Sequence, residues 1–143
     1  MRISEKVKQL QSIDIDRIVD DSLRENEREI VALNQEQLYE RGQIDVQNPG
    51  VRERYAPATI AQKKKRARFP KTDFVTLRWT GELYEKMKMI IFRDYFVITS
   101  DDLKWANWLE PNSRFGNALG LTDDSIKKVR DIMLPSVLKR IRI

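Results

Sequence analysis

Between Asp14 and Arg41 the chain has no proline and no glycine, and Gly42 follows where a helix would stop. A run of Glu, Arg, Leu and Gln without a breaker predicts one long N-terminal helix over 14–41, about 40 Å in length at 1.5 Å per residue. Its apolar stripe is Ile15, Val19 and Leu23, then Ile30, Leu33 and Leu38, interrupted by the polar run Arg24 to Glu29. A rod with so narrow a stripe outreaches the core that a 143-residue domain can offer. Leu23, Ile30 and Leu33 are therefore candidates for contact with a neighbouring subunit, the alternative being a solvated surface helix.

The size fits one domain, and 41% hydrophobic with 34% charged residues is ordinary globular composition. Cysteine and histidine are both missing. That removes thiolate nucleophiles, Cys/His zinc sites and imidazole bases, which lowers the expectation of catalysis. No stretch has signal-peptide or membrane-span character, so the expectation is a protein that stays in the cytoplasm where it is made and has no membrane partner. The net charge of +5 is unevenly placed: Gln62 to Lys71 holds six basic residues and no acidic one.

The rest of the chain divides into a basic loop region, 43–73, and a sheet-and-helix core, 74–143. Asn48-Pro49-Gly50 and Pro57 mark a loop from Gln43 to Ala58. Thr59-Ile60-Ala61-Gln62 fits a capping box, so a short helix is predicted to start at Thr59 and carry Lys63, Lys64, Lys65 and Arg66. Phe74 to Trp79 alternates and is rich in strand formers. Thr80 then caps a short helix with Leu83, Tyr84 and Met87, Gly81 permitting the tight junction. Met89 to Phe92 and Tyr95 to Thr99 flank Arg93-Asp94 as a β-hairpin. Asp101 or Asp102 caps a helix carrying Trp105, Trp108 and Leu109, and Glu110 to Gly120 is a loop. Thr122 caps the last helix, Asp123 and Asp124 sit in its first turn, and Pro135 is expected to kink or split it. The class is α+β: a small, mainly antiparallel sheet covered by helices on one face, between the long helix and a C-terminal helix.

Three constellations bear on function. Lys63, Lys64, Lys65, Arg66, Arg68 and Lys71 can meet phosphates or an acidic protein surface. Successive helical residues diverge by about 100°, so the cluster reads as a solvated cationic knob and not as one groove wall, and it lacks interleaved aromatics for base stacking. The pairs Asp101/Asp102 and Asp123/Asp124 sit where helix caps belong, with no third ligand at a metal-binding spacing, so neither a metal nor any other cofactor is expected. Trp79 is assigned to the core, and one of Trp105 and Trp108 is left as a subunit-interface candidate.

Several phrases occur in a fixed order: Tyr55-Ala56-Pro57-Ala58-Thr59 with Lys63; Leu77-Arg78-Trp79-Thr80-Gly81-Glu82-Leu83; Trp105-Ala106 with Glu110; and Leu119-Gly120-Leu121-Thr122-Asp123-Asp124. In this order the chain from Tyr55 onward resembles the tail-completion and virion morphogenesis proteins of tailed phages, a group of small neck and tail-terminator proteins. It departs from their pattern in having Trp105 where Tyr is usual and no His before Glu110. The resemblance implies a non-enzymatic virion protein, made in the bacterial host cytoplasm. Its copies form a ring at the head–tail junction around the DNA channel, beside portal or connector and tail proteins. The alternative is a small cytoplasmic nucleic-acid-binding protein using Lys63 to Arg68.

Overall fold

The computed structural model describes residues 2–11, 14–110 and 113–141. An amino-terminal helix, α1 (Ile3–Gln11), precedes the run expected to be one rod, which instead forms two helices, α2 (Ile15–Glu25) and α3 (Glu27–Tyr39). The long N-terminal helix is thus corrected to a bent pair. The break falls at Asn26, whose backbone leaves the helical region at φ −104° and ψ 14°. Its side-chain Nδ2 donates to the Ser22 carbonyl at 2.8 Å and to Ser136 Oγ at 2.8 Å. An asparagine that can satisfy the local carbonyl and a distant hydroxyl together offers the chain an alternative to continuing the helix.

Ala56 N-caps α4 (Pro57–Arg66), with Pro57 in its first turn. Thr59 is therefore inside the helix, not at its cap. After α4 come α5 (Glu82–Glu85), β1 (Met87–Ile91) and β2 (Phe96–Ser100), a 3₁₀ turn at Leu103–Trp105, α6 (Ala106–Leu109) and α7 (Asp123–Ile141). Among the described residues the architecture is α+β with one two-stranded antiparallel sheet, registered from Met87 opposite Ser100 to Ile91 opposite Phe96. Met87 accordingly begins β1 and is not part of the preceding helix. Pro135 lies inside α7 without splitting it. Thr122 Oγ1 accepts from the Ser125 amide at 3.3 Å, the expected cap. Of the loop read between Glu110 and Gly120, positions 111 and 112 lie outside the described residues.

The segment read as a strand, Phe74 to Trp79, belongs to no sheet. Phe74, Val75, Thr76 and Leu77 are all buried, so its two faces are both covered and alternation does not describe it. Leu77 adopts φ 58°, which breaks any extended ladder. Its amides find partners outside any ladder: the Val75 amide donates to the Glu53 carbonyl at 2.7 Å and the Thr76 amide to the Tyr55 hydroxyl at 3.1 Å.

The apolar core joins Leu23 of α2, Ile30, Val31 and Leu38 of α3, Leu77, Leu83 and Tyr84, the inner face of the hairpin at Met87, Met89 and Ile98, and Met133 of α7. α7 packs on both α2 and α3, and α3 packs on β1. The bend at Asn26 lets both halves of the former rod lie on one core. No helix among the described residues is long and apolar enough to cross a membrane.

Candidate functional site

The basic cluster divides by depth. Lys63 is fully buried, in correction of the solvated knob expected for it. Its Nζ donates to the Tyr55 hydroxyl at 3.1 Å, to Thr76 Oγ1 at 3.1 Å and to the Lys71 carbonyl at 2.6 Å. These three acceptors match the three hydrogens of an ammonium group. Lys71 is also turned inward: its Nζ donates to the Tyr39 carbonyl at 2.8 Å and lies 4.7 Å from the Phe74 ring centroid. Arg68 is exposed and 3.8 Å from Glu85. Lys64, Lys65 and Arg66 remain exposed at the carboxyl end of α4, where positive charge suits the helix dipole, and have no ion-pair partner among the described residues.

Burial raises the Tyr55 hydroxyl's pKa. The Thr76 amide and hydroxyl and the Lys63 ammonium more than offset this, so Tyr55 ionises below the ordinary tyrosine range. Burial holds Tyr84 far above that range, with the Arg78 charge opposing. The Tyr84 hydroxyl donates to the Thr76 carbonyl at 2.5 Å. Arg78 lies among three rings, its Cζ 3.8 Å from the Phe69 centroid and 4.9 Å from those of Tyr39 and Tyr84. Its Nε is buried without a hydrogen-bond partner.

All three tryptophans of the chain, Trp79, Trp105 and Trp108, line a cavity of ≈ 510 Å³, together with Tyr55 and Phe115. Trp108 stacks on Phe115 at 5.6 Å and meets Trp105 edge to face at 6.4 Å. Arg78, Lys104 and Arg114 supply positive charge to the wall, and Asp102 the one carboxylate. Arg114 gives Nε and Nη2 to Glu53 Oε1, and its Nη1 has no hydrogen-bond partner among the described residues. Asp102 Oδ1 accepts from the Lys104 amide at 3.2 Å, so this acid caps the 3₁₀ turn, as the sequence suggests. An aromatic concavity with a few polar groups is the usual form of a binding site.

At the far end of the hairpin, the Phe92 amide donates to the Tyr95 carbonyl at 2.8 Å and closes the two-residue loop Arg93-Asp94. The Phe92 and Tyr95 rings stack at 4.8 Å, yet are 46% and 61% exposed. Ile90 and Val97, paired across the strands, are also exposed. A wider groove of ≈ 1120 Å³ runs between α2, the hairpin and α7.

Leu23 and Ile30, expected at a subunit interface, are core residues and unavailable for one; Leu33 is half-buried. Trp105 packs against the core, and Trp108 is 44% exposed. Trp79 is half-buried at the cavity wall instead of in the core. Among the described residues no three acidic side chains come together as a metal ligand set.

Three of the four ordered phrases act as internal fastenings. Tyr55 and Lys63 hold Thr76, which leads into the Leu77 to Leu83 phrase. Gly81 takes φ 96° with its α-carbon facing Phe69, where a Cβ would come within 2.7 Å of the ring. The Gly120 amide donates to Asn34 Oδ1 at 2.8 Å and the Thr122 amide to Gln37 Oε1 at 3.0 Å. Sequence reading missed the stacked tip, because periodicity assigns Phe92 and Tyr95 to strands without saying that their rings are left exposed. Comparison of the chain with protein-family models, with curated proteins and with solved structures finds no match.

Proposed function

We propose that this chain is a non-enzymatic structural subunit of the phage neck or tail-completion type. Its copies assemble as a ring at the head–tail junction around the DNA channel, against portal or connector and tail proteins. The observation that carries this reading is the amount of large apolar side chain left bare on separate elements of one small subunit: Phe92 and Tyr95 on the hairpin, Leu134 and Leu138 on α7, and Ile15 and Val19 on α2. Of these, the stacked Phe92 and Tyr95 adjoin the exposed cross-strand pair Ile90 and Val97, and a contiguous apolar patch of this kind marks contact with another protein surface. The ordered phrases from Tyr55 to Asp124 add the likeness to that family. The test is negative-stain electron microscopy with light scattering on the purified protein. Rings of uniform mass that persist in high salt are expected, and a monomer at high concentration would sink the proposal.

A second reading keeps one favourable observation, the unpaired and exposed Lys64, Lys65 and Arg66 at the end of α4. They suit contact with DNA phosphates or with an acidic neighbour. Binding to DNA would weaken steeply with salt, the slope in log K being about 0.9 per phosphate neutralised. A salt-independent affinity, or none, removes the nucleic-acid option.

A further inference from the structure

The two aromatic features lie at opposite ends of one hairpin. The stacked pair Phe92 and Tyr95 closes the turn between β1 and β2, whereas Asp102 and Lys104 of the tryptophan cavity follow directly from the far end of β2. Five paired residues at about 3.4 Å each put roughly 17 Å of rigid ladder between them. A copy therefore cannot place its own tip in its own cavity. We propose that the tip of one copy docks in the tryptophan cavity of the next, a step that rests on the ring reading and supplies its contact.

The chemistry of the two surfaces agrees. The tip offers two exposed rings backed by Ile90 and Val97, and the cavity offers Trp79, Trp105 and Trp108, so burial and edge or offset ring contacts act together. Asp94 and Arg93 at the tip have no ion-pair partner among the described residues. Across the junction Asp94 meets Arg78, which has no ion-pair partner among the described residues, beside Lys104 and Arg114, which are already paired with Glu82 and Glu53 of their own copy, and Arg93 meets tryptophan faces. The cavity, at ≈ 510 Å³, falls within the range of about 300–1,000 Å³ typical of sites that enclose compact groups. Because tip and cavity are different surfaces, each copy has one of each free. The contact is head-to-tail, and it closes into a ring when the rotation between copies divides a full turn.

Complementation tests this. One variant carries Phe92→Ser with Tyr95→Ser, which removes the tip. The other carries Ala56→Arg, which fills the cavity mouth from an exposed position and truncates nothing. Light scattering should give wild-type rings, each variant alone as a monomer, and an equimolar mixture as a dimer, since one good tip and one good cavity make a single junction. Circular dichroism and melting temperature should match wild type for both variants. Asp94→Lys, a milder change, should raise the dissociation constant of the wild-type ring about tenfold. Tryptophan emission should shift to the blue when rings form, because every tryptophan lines the cavity. If wild-type protein forms rings and the tip and cavity variants form them equally well, or if the two monomeric variants fail to pair, the docking inference is overturned and the ring reading stands. If wild-type protein is monomeric, the ring reading itself is overturned.

Discussion

Lys63 donates to three oxygens inside the protein, so its truncation removes a charged donor from the Tyr55 hydroxyl, the Thr76 hydroxyl and the Lys71 carbonyl and leaves a void. Lys63→Ala should cost about 3 kcal/mol in chemical denaturation, whereas Lys64→Ala and Lys65→Ala should stay within about 0.5 kcal/mol. An equal response at all three positions would contradict the structure. Tyr55 gives a second handle. Its folded pKa is depressed, so tyrosinate absorbance at 295 nm should show one early ionisation in an alkaline titration, lost in Tyr55→Phe, while Tyr84 should not ionise before the protein unfolds. An early phase that survives Tyr55→Phe would contradict the Lys63–Tyr55–Thr76 arrangement. None of this was legible in the sequence, where Lys63 is one of four consecutive basic residues. Which of the four turns inward depends on the phase of a helix that begins at Pro57, two residues before the apparent capping box.

Among the elements, the hairpin and the start of α7 were legible because their signals are local: a two-residue loop between β-rich runs, and a threonine ahead of two aspartates. The bend at Asn26 was hidden because its second hydrogen bond, to Ser136, comes from a residue 110 positions away. The supposed strand at Phe74 was hidden because both of its faces are buried, which alternation cannot represent. Gly81→Ala should cost about 2 kcal/mol, since alanine would be strained at φ 96° and would collide with Phe69. A neutral outcome in thermal melts would refute this account of the α5 junction. The ends of α2 and α7 are tied by Glu25 and Arg140, 2.5 Å apart. The Arg140 guanidinium, through its hydrogen bond and then its charge, holds the Glu25 carboxyl below its ordinary value of 4.5. The tie therefore contributes above about pH 4.5 and is lost as pH falls through the lowered value. In Glu25→Gln, stability should fall less between pH 5 and pH 3 than in wild type, at low salt; an unchanged acid limb would show that the pair contributes nothing.

For the whole molecule, the class α+β was legible from the succession of elements, but the layout was not, because a rod bent at one residue packs where a straight one would protrude. Leu23 and Ile30 moved from candidate interface to core for that reason, and the candidate contact surface moved to the hairpin tip and the tryptophan cavity. On the proposed ring reading, assembly mass should hold as salt rises, because the surfaces invoked are largely aromatic and aliphatic, and Lys64→Ala with Lys65→Ala and Arg66→Ala should leave it unchanged by light scattering; loss of assembly in that triple variant would place the contact on α4 instead. The amide side chains of Asn34 and Gln37 carry a different consequence. Asn34 Nδ2 donates to the Ala118 carbonyl at 3.1 Å and Gln37 Nε2 to the Gly120 carbonyl at 3.0 Å, so α3 pairs with the backbone of a segment 83 and 84 residues later. During synthesis at roughly 5–20 residues per second, α3 waits on the order of ten seconds for these partners. Until they emerge, Asn34 and Gln37 lack these native partners, and α3 can complete this pairing only after the chain through Thr122 has been made.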